Sequence, residues 1–293
     1  MMGAPPQFLV RLIGRNWPFA NGSGRFVDLL GGGFSLGAGT LVCKTREGWP
    51  IKVMAEDHIG RHLILTGAFD RAGPDVLIAL AEPEDVCVDI GANIGYVSCL
   101  LLHSIPKSTI VCFEPQAGVV DLLRHNLGQF DPARYVVVEA GLSNRSGTVG
   151  FHIDRNNRGA SAIADADGHA DATISLIDAG EALAELSRLD ILKMDIEGHE
   201  EVTLRAAANQ IERLQPKAVL YEDIRKQSGP DQAIGKIWEH LDYEVFGLKK
   251  SLWRTSLEKV HAGNSADFHD FLAISSKRLL PLAARRKFPE LKA

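Results

Sequence analysis

Glycines and carboxylates occur together at the ends of two apolar runs. In the stretch "VCVDIGANIGYVSCLL", Asp89, Gly91, Asn93 and Gly95 interrupt an apolar run that then resumes with helical spacing, and Glu114 ends a second apolar run 25 residues after Asp89. Glycine permits left-handed backbone and close approach of a ligand. A helix N-terminus attracts a carboxylate or phosphate, and a carboxylate can accept hydrogen bonds from two ribose hydroxyls. The pattern therefore indicates a loop that binds an adenosine-containing cofactor.

Two classes of cofactor compete for this loop. Dinucleotide enzymes require G-x-G-x-x-G, whose second glycine lets the backbone touch the pyrophosphate. Here Asn93 takes that place and Tyr96 takes the final one. The observed D-x-G-x-N-x-G instead matches the D-x-G-x-G-x-G loop that cradles S-adenosylmethionine, and Asn tolerates left-handed geometry. Glu139, at the end of a third run, could approach the adenine edge.

A second group of acids lies in "LKMDIEGHEE" and is suited to proton transfer. Asp195 ends an apolar run, and Glu197 and His199 follow on the turn into the next helix. Acids packed at a strand end either raise one pKa, which creates a base, or bind a cation. Asp195, Glu197 and His199 are the predicted catalytic residues. Lys193 is unusual in an apolar run and either neutralises these acids or steadies developing charge.

Metal dependence is the less favoured reading of the same acids. Asp195, Glu222 and Asp223 could converge on magnesium, because "YED" ends another apolar run. None of the four cysteines forms a C-x-x-C pair, and no zinc site is expected. No residue is therefore assigned as a metal ligand.

The elements that must position these groups alternate between short apolar runs and helical stretches. Buried strands are expected at 86–90, 108–114, 134–140, 189–195 and 217–223, with helices at 96–104, 117–129, 181–187 and 200–213. Such alternation predicts βαβ units and a parallel sheet. Two later runs, 243–248 and 270–276, follow each other without a helix and predict antiparallel pairing at the sheet edge.

The chain is expected to have three parts. Residues 1–80 form an N-terminal region of mixed, partly β structure with a hairpin around "REG" and a lead-in helix. Residues 81–276 form the cofactor-binding domain, and 277–293 form a basic, amphipathic tail. Acceptor specificity is assigned to the N-terminal region and to a loop at 151–175.

Composition excludes several classes. The chain has 293 residues, 45% of them hydrophobic, and a formal net charge of -5, so no basic field for nucleic acid is present. No apolar run approaches the roughly 20 residues of a membrane span, and the N-terminus lacks the pattern of a secretion signal. Cysteines inside apolar runs predict a reduced, cytoplasmic protein. Its oligomeric state cannot be read from the sequence.

Four blocks together resemble one family. "VDIGANIGYVS", "CFEPQ", "VVVEAGLSNRSGTVGFH" and "ILKMDIEGHEEVTL" occur in order and are similar to the FkbM-type family of S-adenosylmethionine-dependent methyltransferases. The resemblance implies an α/β, Rossmann-like, seven-stranded doubly wound sheet of the class I methyltransferase type, with the last strand antiparallel. The resemblance rests on the patterns D-x-G-A-N-x-G, F-E-P and K-x-D-x-E-G-x-E. His199 occupies a variable position in the last of them. The cofactor-binding residues predicted from the loop and the resemblance together are Asp89, Gly91, Ala92, Asn93, Gly95, Glu114 and Glu139.

The expected function is S-adenosylmethionine-dependent O-methylation of a hydroxyl on a small molecule or sugar. An N-methyltransferase of the same fold is one alternative, although the N-P-P-Y signature is absent after the fourth strand. An NAD-dependent oxidoreductase is disfavoured by Asn93 and Tyr96. A non-catalytic binding protein that has kept the fold is the remaining alternative.

Overall fold

The computed structural model describes residues 7–31, 36–154, 156–164 and 170–291. The chain divides into two compact units. The smaller comprises Met1–Ala72, Asp154–Ala160 and Lys250–Thr255, and the larger comprises Gly73–Ile153, Ser161–Lys249 and Ser256–Ala293.

The smaller unit combines helices with a hairpin. Its elements are α1 (Gln7–Arg15), α2 (Ser23–Gly31), β1 (Thr40–Lys44), β2 (Pro50–Met54) and α3 (His58–Thr66). Strands β1 and β2 pair antiparallel. Asp57 begins α3 by accepting the Ile59 amide, and Gly67 ends it in left-handed backbone. These are the local signals expected of a helix start and stop.

The larger unit is built on an α/β sheet. Its helices are α4 (Ala72–Leu80), α5 (Tyr96–Ser104), α6 (Ala117–Leu127), α7 (Ala179–Ala184), α8 (Glu200–Leu214), α9 (Ala233–His240) and α10 (Leu282–Lys287). Its strands are β3 (Val86–Ile90), β4 (Thr109–Phe113), β5 (Tyr135–Val138), β6 (Gly141–Ser143), β7 (Gly147–His152), β8 (Ala162–Ile163), β9 (Ala172–Asp178), β10 (Ile191–Met194), β11 (Ala218–Glu222), β12 (Tyr243–Lys250), β13 (Thr255–Lys259) and β14 (Asp270–Ser275). Short 3-10 helices occur at Pro132–Arg134, Arg158–Ala160, Ser265–Asp267 and Pro289–Leu291.

The main sheet has eight strands in the order β13-β12-β14-β11-β10-β3-β4-β5. The five strands β11, β10, β3, β4 and β5 are parallel to one another, whereas β14 is antiparallel to both β11 and β12. The predicted α/β class, the parallel sheet and the antiparallel last strand are therefore confirmed. The eighth strand, β13, was not predicted, because its sequence TSLEK buries only Leu257 and gives no apolar run.

The core lies on the sheet and explains why these runs become strands. Every residue of β10 is buried, and Leu192 and Met194 pack in one cluster with Leu204 and Ile211 of α8. A strand covered on both faces by helices reads as a continuous apolar run. Burial of each such side chain contributes about 1.5–3 kcal/mol, so the strand ends that carry the acids are firmly held.

A second sheet occupies part of the segment that was expected to be a loop. Strands β6, β9, β7 and β8 form it in that order, and the expectation of a loop over the whole of 151–175 is wrong. In β9, Ile174 and Leu176 are buried while Thr173 and Ser175 are exposed. This alternation is typical of a half-buried strand, but flanking glycines and short strand lengths obscure it.

Within the described ranges, no helix is long and apolar enough to span a bilayer. All four cysteines are buried free thiols.

Candidate active site

The glycine-rich loop between β3 and α5 adopts the left-handed backbone that its sequence requires. Gly91, Asn93 and Gly95 have φ of 75°, 51° and 82°. A Cβ on Gly91 would lie 1.9 Å from the Asp195 carbonyl oxygen, and one on Gly95 would lie 2.6 Å from Leu123 Cδ1. The loop therefore packs directly against the end of β10, and only glycine fits at Gly91.

The amides of this loop are bonded within the protein. Those of Gly91 and Ala92 both donate to the Phe113 carbonyl, at 2.9 and 3.0 Å, and that of Gly95 donates to the Ala92 carbonyl. Ile94 N donates to Asn93 Oδ1 at 2.7 Å. The cradle is thus formed by the chain itself, ahead of the N-terminus of α5.

Glu114 supports the loop from the end of β4. Its carboxylate accepts the Asn93 amide on one oxygen and the Gln116 amide on the other, both at 2.9 Å. Burial raises the pKa of Glu114 to about 7, against the effect of these two bonds. A carboxylate offers about four acceptor positions, so two remain available for hydroxyls. Glu139, in contrast, is exposed and pairs with Arg124 at 3.1 Å.

A buried lysine joins the loop to the acids. Lys193 Nζ lies 3.1 Å from Asp89 Oδ1, 3.7 Å from Asp195 Oδ2 and 2.8 Å from the Gly91 carbonyl oxygen to which it donates. Asp89 is fully buried and accepts a hydrogen bond from Ser98. Burial lowers the pKa of Lys193, but the charges of Asp89 and Asp195 outweigh it and the net pKa is raised. Lys193 therefore stays charged and neutralises part of the acidic charge.

Three acids converge beside this lysine. Carboxylate oxygens of Asp195, Glu197 and Glu222 lie within 4.8 Å of one another. Burial, and then the charge of Asp195, raise the pKa of Glu197 to about 7. Burial and the charges of Asp195 and Asp270 raise the pKa of Glu222 strongly. Because like charges cannot all ionise at this distance, the cluster holds a proton near neutral pH.

The remaining polar residues of this edge have other partners. His199 Nε2 lies 2.9 Å from Ser143 Oγ, and burial lowers its pKa. Asp223 accepts the Gln227 amide and the Ser228 hydroxyl, both at 2.6 Å, so it holds a turn and stands outside the three-acid cluster.

The structure thus brings together two of the predicted catalytic residues, Asp195 and Glu197, and adds Glu222. Sequence reasoning considered Glu222 as a magnesium ligand and, together with Asp223, as an alternative catalytic centre, and its position at the end of β11 was the available signal. Three carboxylates offer the hard oxygen ligands that magnesium prefers. The expectation that the protein has no metal ligand stays a prediction.

The chain is similar in sequence to two methyltransferases. The chain is 28% identical over 139 residues to the hexuronic acid methyltransferase AglP of Haloferax volcanii, which covers 47% of this chain and 56% of that protein. It is 34% identical over 77 residues to the 2-O-methyltransferase NoeI of Sinorhizobium fredii, and this match covers 26% of this chain and 31% of that protein. The matches therefore span about half or less of these relatives.

Solved structures give a weaker likeness. The TehB-like S-adenosylmethionine-dependent methyltransferase of Corynebacterium glutamicum is 13% identical with a TM-score of 0.42, covering 74% of this chain and 94% of that one. The putative methyltransferase SMU.1697c of Streptococcus mutans, in complex with SAH, is 10% identical with a TM-score of 0.39, covering 69% and 94%. Residues 89–249, more than half of the chain, match the Methyltransferase FkbM domain. The chain therefore belongs to the FkbM methyltransferase family.

Proposed function

We propose that the protein transfers a methyl group from S-adenosylmethionine to a hydroxyl of a sugar. Membership of the family supports the methyl donor, and the names of the two relatives, a hexuronic acid methyltransferase and a 2-O-methyltransferase, support a sugar hydroxyl as acceptor. When bound, S-adenosylmethionine supplies an electrophilic methyl group on a positively charged sulfur.

One observation carries the proposal. The Asp195 carbonyl oxygen lies so close to Gly91 that a Cβ there would come within 1.9 Å. The backbone at Asp195 therefore borders both the glycine loop and the acid cluster. A donor bound by the loop and an acceptor bound by the acids would therefore lie next to each other beside this backbone. Group transfer requires that proximity.

The acid cluster suits a hydroxyl nucleophile. A hydroxyl must lose its proton as it attacks, and an efficient general base has a pKa near the working pH. The pKa of Glu197, raised to about 7, meets that condition. Glu222, whose pKa is raised further, stays protonated and can donate a hydrogen bond to the acceptor. A neutral amine has less need of such a base, so the cluster favours oxygen over nitrogen.

The proposal is tested by incubating the protein with S-adenosylmethionine carrying a labelled methyl group and a panel of sugars that includes free and glycosidic uronic acids. Label recovered in an alkali-stable ether supports O-methylation of a hydroxyl. Label recovered as an amine, or as an alkali-labile ester on the uronic carboxyl, would contradict the hydroxyl assignment. Failure to bind S-adenosylhomocysteine by calorimetry would overturn the methyltransferase proposal itself.

Cofactor affinity should depend on Glu114. Alanine at this position removes the acceptor for two ribose hydroxyls and for the Asn93 amide. Because a hydrogen bond to a charged group contributes about 1.5–3 kcal/mol, the Kd for S-adenosylhomocysteine should rise at least tenfold by calorimetry. Glu212→Ala is the matched control, since Glu212 is an exposed residue in the last turn of α8. Equal affinities for Glu114→Ala and the wild type would remove Glu114 from the site.

Asp195→Asn should reduce turnover and displace its pH dependence. The charge of Asp195 helps to raise the pKa of Glu197. Its removal should lower that pKa and move the acidic limb of kcat to lower pH. A kcat loss of about 10²-fold is expected, as for acid–base groups in general, with little change in Tm. An unmoved limb with normal kcat would show that Asp195 has no part in the reaction.

A further inference from the structure

Three side chains of the smaller unit form a cluster that the proposed methyl transfer does not use. His58 and His62 lie one turn apart on α3, and Asp28 approaches them from α2. The same carboxylate oxygen, Asp28 Oδ1, is 2.9 Å from His62 Nε2 and 4.0 Å from His58 Nδ1. The three atoms that could act as ligands all lie within 4.8 Å of one another.

The spacing of the two histidines is itself informative. Histidines at positions i and i+4 lie on one face of a helix and can bind one metal ion together. The expectation of no zinc site assumed that no His or Cys pair has the spacing of metal ligands, and it overlooked this H-x-x-x-H pair. The other helix makes room for the ring, because Gly24, one turn before Asp28, lies where a Cβ would be 3.1 Å from His62 Cε1.

The cluster is buried on the side of His62 and accessible to solvent on the side of His58 and Asp28. The side chain of His62 is 5% exposed, whereas those of His58 and Asp28 are 36% and 53% exposed. The ring centroids of the histidines are 4.3 Å apart, and Phe69 packs edge-on against both. Ring orientation is thus fixed by packing, while one side stays accessible to an ion and a water molecule.

A structural hydrogen bond alone does not account for this arrangement. The bond between His62 and Asp28 would tie α2 to α3 without any help from His58. The two imidazole rings are tilted by 50° with centroids 4.3 Å apart, and one nitrogen of each ring faces the same carboxylate oxygen, so a single ion bound between them would explain why His58 is there as well.

We propose that His58 Nδ1, His62 Nε2 and an Asp28 carboxylate oxygen bind Zn²⁺, with a fourth position open to water. Two imidazoles and one carboxylate are a known ligand set for tetrahedral zinc with one open position. Nitrogen ligands distinguish this site from the all-oxygen cluster at Asp195, which suits hard cations instead. The proposal concerns the smaller unit and does not depend on the proposed methyl transfer.

The test is calorimetric titration of ZnCl₂ into chelator-treated, tag-free protein. The variants are Asp28→Asn, at an exposed side chain, His58→Asn, at a partly buried one, and His62→Ala, with folding checked by circular dichroism. His152→Ala is the matched control, because His152 forms an ion pair with Asp171 at 2.8 Å and belongs to no three-ligand cluster among the described residues.

One zinc ion per chain is expected for the wild type and for His152→Ala, with a rise in Tm on zinc addition. Each of the three cluster variants should bind at least about tenfold more weakly, the minimum loss typical of altered metal sites. Mg²⁺ should not raise Tm through this site. Zinc binding that is unchanged in His58→Asn and Asp28→Asn, or absent from the wild type, would overturn the proposal. Loss in Asp195→Asn alone would assign the zinc to the acid cluster and also overturn it.

Discussion

Alanine in place of Gly91 should abolish binding of S-adenosylhomocysteine and destabilise the fold. The new Cβ would lie 1.9 Å from the Asp195 carbonyl oxygen, which is backbone and cannot rotate away. Left-handed backbone costs a non-glycine residue about 1–3 kcal/mol, and displacement of the loop adds to that cost. A misplacement of about 1 Å can cost 10²-fold in activity. Calorimetric affinity and a denaturant-unfolding curve measure the two effects.

Gly48→Ala separates strain from collision. Gly48 has φ of 94°, also in the left-handed region, but a Cβ there meets nothing within 4 Å. That variant should lose only the stability that left-handed strain costs and should keep full cofactor affinity. If Gly91→Ala lost no more stability than Gly48→Ala and bound S-adenosylhomocysteine normally, the loop would be only a turn between β3 and α5.

Glu197→Gln should reduce kcat by about 10²–10⁴-fold, the range that removal of a general base produces, while donor affinity changes little. The pKa of Glu197 is raised to about 7, so the protonated, inactive form dominates below that pH. Wild-type kcat should therefore rise as pH increases through about 7 and then level off. The residual activity of the glutamine variant should lack this limb.

Glu200→Gln is a suitable control for that profile. Burial raises the pKa of Glu200 to about 7 as well, but its carboxylate accepts the Ile196 amide at the start of α8. The substitution should lower Tm and leave the limb of the pH profile in place. A limb that vanished in Glu200→Gln but persisted in Glu197→Gln would move the general base away from Glu197.

The sequence predicted the main sheet well because a parallel strand buried on both faces is a local signal. The runs predicted at 86–90 and 189–195 are short and mostly apolar, and they contain the observed strands Val86–Ile90 and Ile191–Met194. The second sheet escaped because β6 and β8 have only three and two residues. Strands of that length are defined by their partners, which no single window of sequence contains.

The candidate site was predictable to the extent that it depends on strand ends. The loop at Gly91 and the acids Asp195 and Glu197 follow from topology, since carboxyl ends of parallel strands meet at one edge. Asp223 bonds to Ser228, only five residues further along the chain. The approach of Glu222 to Asp195 and Glu197 is a tertiary contact, so sequence alone could not show which of the two adjacent acids joins the cluster. The division of the chain at residues 80 and 276 stays a prediction.

The bonded amides of the glycine loop bear on how an enzyme of this kind would turn over. A loop whose N–H groups are already hydrogen-bonded is ordered before a ligand binds, so binding costs little conformational entropy. The adenosine portion is the same in the donor and in the by-product, so the loop would hold it almost equally in both. The protein would distinguish the donor from the by-product by charge, because the donor's sulfonium is cationic and the by-product's thioether is neutral. The acids around Asp195, which lie beside the loop, would bind the cationic donor more tightly than the neutral by-product. Methyl transfer would therefore weaken binding of the spent cofactor and assist its exchange.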